Sequence, residues 1–179
     1  MNLQLLSAWA LLAVVVAVAP AAGDDPAADR TAKELARFDG NWELTASTTD
    51  GKAADLGAGT RVVLVFDGGR MAAVERGGPV GYGTIRVRGG EAPAQIDWRY
   101  GDSPAKTGVS QGIYKFDGDT LTICVSPAAR AAGRAAPRPA RFESRAGSGA
   151  TLLTYRRVQA ALRLQDLNFP DYLVEPPSK

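Results

Sequence analysis

Residues 107–126 read TGVSQGIYKFDGDTLTICVS, and this stretch decides the fold. A tight turn at Asp117-Gly118 joins two runs of alternating residues into a β-hairpin. Alternation places four large apolar side chains on one face of this hairpin: Tyr114, Phe116, Leu121 and Ile123. We expect that face to point into a core.

The opposite face of the hairpin is mixed in character and carries Ile113, Lys115, Thr120, Thr122 and Cys124. We expect it to be partly solvated or covered by another element. Cys124 is the only cysteine, and the chain has no histidine. A nucleophilic cysteine needs a nearby base or cation to lower the pKa of its thiol. We therefore predict that Cys124 is a packed, unreactive thiol.

Similar alternating runs recur on both sides of the hairpin and are separated by glycine or proline clusters. They predict strands around 42–46 and at 61–66, 71–75, 81–88, 94–100, 107–116, 119–126 and 151–158. A short helix is predicted from Asp29 or Thr31 to Arg37. About eight strands joined mostly by short turns indicate an all-β, antiparallel barrel or sandwich.

Composition excludes several kinds of chemistry. The chain has 179 residues, of which 45% are hydrophobic and 22% charged, and a formal net charge of +2. Without histidine it has no serine–histidine triad and no His-ligated zinc site. Paired carboxylates remain, but alternation puts Asp97 on the face opposite Trp98, and no partner carboxylate can be placed. We predict a non-enzymatic protein without catalytic residues, metal or cofactor, and the small net charge does not favour nucleic acid.

The N-terminal segment indicates export. Residues 5–19 read LLSAWALLAVVVAVA, the length of a signal-peptide core, and we predict cleavage near Ala21 or Ala22. An uncleaved anchor is the alternative; after cleavage no stable membrane insertion is expected. The predicted organisation is a signal peptide at 1–22, a flexible linker at 23–30, a barrel domain at 31–158 and a C-terminal extension at 159–179. The protein would then be periplasmic or extracellular.

Three further segments have competing interpretations. Residues 101–107, GDSPAKT, imitate a phosphate-binding loop but lack its second glycine and the following helix, which favours a turn. The loop 127–145 is rich in arginine, and Arg130, Arg134 and Arg138 are candidate contacts for a polyanion or protein partner, against a merely solvated loop. In the extension, a short helix through about Asp166 is expected to pack on the barrel wall; a partner-binding peptide is the alternative.

Gly40-Asn41-Trp42 resembles the G-x-W motif of lipocalins and related calycin barrels. The chain also resembles an uncharacterised lipocalin-like domain family that is expanded in Planctomycetes and often exported. The motifs that carry this resemblance are Gly40-x-Trp42, Asp50-Gly51-Lys52, Leu64-Val65-Phe66, Gly112-Ile113-Tyr114, Asp117-Gly118-Asp119-Thr120-Leu121, Cys124, Arg138-Pro139-x-x-Phe142 and Gly147-x-Gly149. The resemblance implies that Trp42 closes one barrel end beneath one basic residue, Arg156 or Arg157. It implies no activity.

A barrel of this size either fills its interior or keeps room for one ligand. We expect a binding module for a small apolar or aromatic ligand, with six side chains lining its pocket: Leu64, Phe66, Trp98, Tyr100, Tyr114 and Phe116. The rival hypothesis is an envelope structural or protein-interaction module that uses the arginine-rich loop.

Overall fold

The computed structural model describes residues 26–57, 59–101, 107–130 and 136–173. Within them, helix α1 (Pro26–Ala36) precedes ten strands. The strands are β1 (Gly40–Thr49), β2 (Lys52–Ala53), β3 (Val62–Asp67), β4 (Arg70–Glu75), β5 (Gly78–Arg88), β6 (Gln95–Gly101), β7 (Gly108–Asp117), β8 (Thr120–Val125), β9 (Ala129–Arg130) and β10 (Thr151–Val158). The predicted signal segment lies outside the described residues.

Eight of these strands form a closed antiparallel barrel. From β3 to β8, each long strand pairs with the next along the chain, and β10 follows β8. Strand β10 then pairs with β1 from Asn41↔Val158 to Thr49↔Thr151, which closes the sheet on itself. The two-residue strands β2 and β9 are short additions beside β1 and β7. The prediction of an all-β barrel is confirmed, and closure distinguishes it from a sandwich.

The decisive hairpin forms as the alternation predicts. Tyr114 lies opposite Ile123, and Phe116 opposite Leu121. All four side chains belong to the core inside the barrel. The outer face of the hairpin is covered, because Ile113 and Cys124 are buried beneath the segment after β9 together with Phe142.

Helix α1 closes one end of the barrel. Leu35 packs against the core, and the following Phe38 is fully buried within it. Tyr114 donates a hydrogen bond from its hydroxyl to Glu34 Oε1 at 2.8 Å, which ties the helix to β7. The helix begins at Pro26, so residues 26–30 of the predicted linker are helical. Residues 27–33 of the helix are exposed, and Leu35 and Phe38 attach its C-terminal end to the barrel.

The C-terminal segment packs on the outside of β3 and β4, as expected. Its apolar residues cover the outward side chains of these strands: Leu162, Leu164, Leu167 and Phe169 contact the cluster of Val63, Val65, Ala72 and Val74. The expected short helix forms as a 3-10 turn at Leu164–Leu167, and a second 3-10 turn follows at Asp171–Leu173. Extended backbone at Arg163 and left-handed backbone at Asn168 (φ 50°) limit the first turn to four residues.

The part of the chain that the structure describes contains no helix long and apolar enough to cross a membrane. It also contains no cluster of three or more Asp, Glu or Cys side chains that could hold a metal ion. Asp117 and Asp119, the aspartates of the β7–β8 turn, are both exposed.

Candidate functional site

The barrel is solid at the end that α1 closes. Aromatic rings fill this end and contact one another edge to face or at a tilt, with centroid distances of 4.9 Å for Phe38–Phe116, 5.6 Å for Phe38–Phe66 and 5.7 Å for Trp42–Phe116. Such rings leave little free space and supply much of the buried apolar area. This half of the interior is therefore a core.

Trp42 lies at the bottom of this core with no exposed surface. Its indole Nε1 donates a hydrogen bond to the carbonyl oxygen of Phe38 at 2.6 Å. The guanidinium carbon of Arg157 lies 4.2 Å from the centroid of the Trp42 rings, and Trp42 and Arg157 are direct partners across β1 and β10. Arg156 is exposed on the other face of β10. Of the two candidate arginines, Arg157 makes the contact.

Arg157 also stabilises the short segment between α1 and β1 through hydrogen bonds. Its guanidinium donates hydrogen bonds to the carbonyl oxygens of Asp39 at 2.7 Å and Arg37 at 2.6 Å. Gly40 allows this approach, because a Cβ there would lie 3.1 Å from Nη1 of Arg157 and the residue has φ 113°. Three residues of the predicted signature therefore make structural contacts: Gly40, Trp42 and Arg157. The fourth residue, Arg156, is exposed.

The opposite half of the barrel is hollow. A cavity of about 390 Å³ lies inside it, and its wall is formed by Met71, Ala73, Val80, Gly81, Tyr82, Trp98, Tyr100, Gly101, Ser110, Val125, Thr151 and Leu153. Most of these residues lie where β5 and β10 begin or where β6 and β8 end. Val80 (61% exposed) and Tyr100 (43% exposed) stand at the rim, so the cavity opens to solvent. Its volume and apolar wall are those of a small-molecule site.

The hollow half exists because small residues occupy inward-facing positions there. Along β7, the positions on the inner face read, from the open end to the closed end, Gly108, Ser110, Gly112, Tyr114 and Phe116. The inner face of β5 changes in the same direction, from Gly81 and Gly83 to Ile85 and Val87. Side-chain volume therefore increases towards α1, and only the end with small side chains keeps room for a ligand.

Two of these glycines are required by close approach of the backbone. A Cβ at Gly112 would lie 2.6 Å from the carbonyl oxygen of Cys124, and one at Gly83 would lie 2.6 Å from that of Arg99. Gly81 is different, because no heavy atom of the described residues, apart from its chain neighbours, lies within 4 Å of a Cβ built there. A side chain at position 81 would have free space within the cavity.

The cavity wall carries few polar groups and one unusual donor. Trp98 Nε1 is buried and has no hydrogen-bond partner within the described part of the chain. The indole lies beside Gly83, whose notional Cβ would be 3.1 Å from Nε1 and 3.2 Å from Met71 Sδ. Directly across the β6–β7 pair, Ser110 is buried with 3% of its surface exposed. The Tyr100 ring stands edge-on to Trp98 at 6.5 Å.

The six residues predicted to line a pocket separate into two groups. Trp98 and Tyr100 line the cavity. The other four lie in the core cluster and are absent from the cavity wall: Leu64, Phe66, Tyr114 and Phe116. Sequence reasoning missed the small wall residues, among them Gly81 and Ser110. The gradient of side-chain size along β5 and β7 was the signal that could have found them.

Asp97 faces away from the cavity, as alternation predicts. Its carboxylate accepts hydrogen bonds from Arg88, with Nη2 to Oδ2 at 2.6 Å, and from Arg138 Nη2. Arg138 Nη1 also donates to the carbonyl oxygens of Ile96 and Gly112. Only 16% of the Arg138 side chain is exposed. This guanidinium attaches the segment after β9 to the barrel wall.

The other two arginines proposed as partner contacts lie at the edge of the described part of the chain or beyond it. The side chain of Arg130 and residues 131–135, which include Arg134, are outside this part, as are residues 102–106 of the GDSPAKT segment. Arg138 and the exposed Arg141 line a surface cleft of about 480 Å³ with Arg145. Arg145 forms an ion pair with Glu143 at 2.9 Å.

Cys124 is fully buried on the outer side of the barrel, in agreement with its predicted position. Its Sγ donates a hydrogen bond to the carbonyl oxygen of Glu143 at 3.4 Å. Burial raises the pKa of the thiol above its usual value, which keeps it in its less nucleophilic form.

The fold and cavity together define an eight-stranded, up-and-down β-barrel that is filled at one end and open at the other. No protein-family model, curated protein or solved structure matches this chain. The similarity to lipocalin-like domains therefore stays a prediction that rests on the motifs quoted above.

Proposed function

We propose that this protein binds a small apolar or aromatic molecule in the open half of its barrel. The observation that carries the proposal is the cavity of about 390 Å³, walled by apolar and aromatic side chains. Burial of apolar ligand surface in such a cavity supplies the binding free energy, and edge-to-face contact with Trp98 or Tyr100 favours an aromatic ligand. The proposed role is non-enzymatic, because the twelve described residues of the cavity wall include no acid, base or nucleophile suited to catalysis beyond hydroxyl groups.

The proposal includes export, which rests on the apolar core and small-residue exit of residues 5–22. A protein outside the cytoplasm with one internal apolar cavity suits the transport or storage of a poorly soluble molecule. The mass of the mature protein recovered from its own source would give the cleavage site.

The rival role, an envelope structural or interaction module acting through the arginine-rich loop, has less support. Arg138 is engaged by Asp97 and two carbonyl oxygens, so its guanidinium is already occupied within the molecule. Native mass spectrometry of protein purified from its own source separates the two roles. A co-purifying small molecule supports the binding role, whereas a bare protein that retains a macromolecule supports the rival.

A direct test fills the cavity with a side chain from its own wall. Gly81→Phe places a ring in free space, and its backbone needs no left-handed conformation. Gly90→Phe is the matched control, because Gly90 also has open space around its notional Cβ but lies in the turn after β5, at the closed end. The probe is prodan, an uncharged naphthalene ketone whose emission shifts to the blue in an apolar site.

We expect the unmodified protein and Gly90→Phe to shift prodan emission equally, and Gly81→Phe to weaken prodan binding by at least about tenfold through exclusion. Thermal unfolding of both variants shows whether the fold is retained. Equal binding by folded Gly81→Phe and by the control would refute the assignment of the ligand to this cavity.

A further inference from the structure

The cavity wall determines which class of ligand it can accept, an inference that rests on the proposed function. None of the twelve described residues that form the wall carries a charge. An ionic group inside the cavity would therefore lose its hydration without gaining an opposite charge from these residues. Burial of an unpaired charge is costly enough to exclude it. The described wall selects an uncharged molecule.

The wall also contains a hydrogen-bond donor that no described residue accepts. Among the described residues Trp98 Nε1 is buried without a partner, although buried polar groups are nearly always paired. The indole can only donate, so it needs an acceptor from elsewhere. The Trp98 side chain forms part of the cavity wall and keeps partial exposure there, while Nε1 itself is turned against Gly83.

We infer that the ligand is an uncharged molecule with an apolar or aromatic body and a hydrogen-bond acceptor, such as a carbonyl oxygen or ring nitrogen, and that Trp98 selects for this acceptor. Rotation of the indole within the wall turns its N–H from Gly83 towards the bound molecule. The acceptor then pairs the donor that is unsatisfied in the empty cavity.

Three naphthalene probes with nearly the same shape test this inference. 2-Acetylnaphthalene is uncharged and carries an acceptor, 2-ethylnaphthalene is uncharged and carries none, and 2-naphthoate is an anion. Equilibrium dialysis gives the Kd of each probe for the unmodified protein and for Trp98→Phe. The ratio of the Kd for ethylnaphthalene to that for acetylnaphthalene measures selectivity for the acceptor. The two probes differ in hydration free energy, but this difference is the same for both proteins. It therefore cancels when the ratio for Trp98→Phe is compared with the ratio for the unmodified protein.

We expect the selectivity ratio to fall by about tenfold in Trp98→Phe, because the variant lacks the donor. The affinity for ethylnaphthalene should change much less, which shows that the cavity and the fold remain. We expect 2-naphthoate to bind at least about tenfold more weakly than the ketone in the unmodified protein. Tyr100→Phe and Ser110→Ala are the matched controls, because each removes another hydroxyl near the wall and should leave the ratio unchanged.

The outcomes separate this inference from the proposed function. If both neutral probes bind and the ratio is the same in Trp98→Phe, selection by Trp98 is overturned while the binding function stands. A ratio that falls in Tyr100→Phe or Ser110→Ala instead assigns the donor to that hydroxyl and overturns the role of Trp98. Binding of naphthoate as tight as that of the ketone overturns the selection against charge. Failure of every probe to bind refutes both proposals.

A spectroscopic readout remains informative if Trp98→Phe is unstable. After signal cleavage the protein keeps two tryptophans, Trp42 and Trp98, so its ¹H–¹⁵N spectrum contains two indole signals. Substitution of Trp42 to Phe provides an independent assignment. We expect acetylnaphthalene to move the Trp98 indole proton to a higher chemical shift than ethylnaphthalene does. Equal shifts with both probes would contradict a hydrogen bond to this proton.

Discussion

Substitution of Trp42 and its neighbouring arginines tests whether the closed end of the barrel holds the fold together. Trp42→Ala removes a fully buried ring system and the hydrogen bond from Nε1 to the Phe38 carbonyl. Large-to-small changes of this kind cost about 3–5 kcal/mol. Arg157→Ala removes two hydrogen bonds to backbone carbonyls and the contact with the Trp42 ring. Since the Arg157 side chain is 36% exposed, we expect a smaller loss, about 2 kcal/mol.

Arg156→Ala is the matched control, because Arg156 is adjacent in sequence but exposed on the other face of β10. We expect its free energy of unfolding to change by less than about 0.5 kcal/mol. The assay is urea unfolding of each purified variant, together with prodan binding under conditions in which the variant is folded. Equal losses for Arg156→Ala and Arg157→Ala would refute the structural role of the Arg157–Trp42 contact. Loss of binding by a Trp42→Ala variant of unchanged stability would show that Trp42 has a direct role in binding.

Two further predictions concern buried groups away from the cavity. Burial raises the pKa of Tyr155, and burial together with the Glu34 hydrogen bond raises the pKa of Tyr114. The contribution of these two neutral phenols to the free energy of unfolding is fully present below the unfolded-state pKa of about 10. It is lost as the pH rises towards the folded-state pKa values. Urea midpoints should therefore fall above about pH 10, and a fall just as steep in the Tyr114→Phe/Tyr155→Phe double variant would contradict this cause. Arg138→Ala should lower the free energy of unfolding by about 2–3 kcal/mol, since it removes the hydrogen bonds to Asp97, Ile96 and Gly112. The matched change Arg141→Ala, at an exposed position of the same segment, should cost less than about 0.5 kcal/mol in urea unfolding, and equal losses would argue against Arg138 as the attachment point.

The barrel could be predicted from sequence because each strand carries its own local signal. Alternation and the Asp117-Gly118 turn together fix which faces of β7 and β8 meet the core, and the structure has this register. The arginine pair shows the limit of such reasoning. Alternation establishes that only one of two adjacent arginines can face Trp42, but only the pairing of β1 with β10 identifies Arg157.

The position of the cavity could not be predicted from residue type alone. Apolar and aromatic residues suit a ligand pocket and a solid core equally well, so Phe66 and Trp98 looked alike in the sequence. Their roles differ because they lie at different heights in the barrel and face different neighbours. Phe66 meets the large ring of Phe38, whereas the Trp98 indole lies against Gly83, its diagonal neighbour on β5.

The same gradient of side-chain size explains how one small barrel can be both stable and hollow. An empty cavity costs stability because its wall loses contacts, and no disulfide is available to compensate. The closed half supplies the compensation, through its cluster of aromatic rings, the plug of α1 and the hydrogen bonds of Arg157. Tolerance to change should therefore differ between the two ends. Substitutions at Gly81 should alter ligand binding with little effect on the free energy of unfolding. Substitutions at Phe38 should lower the free energy of unfolding, and any loss of ligand binding should follow from loss of the fold.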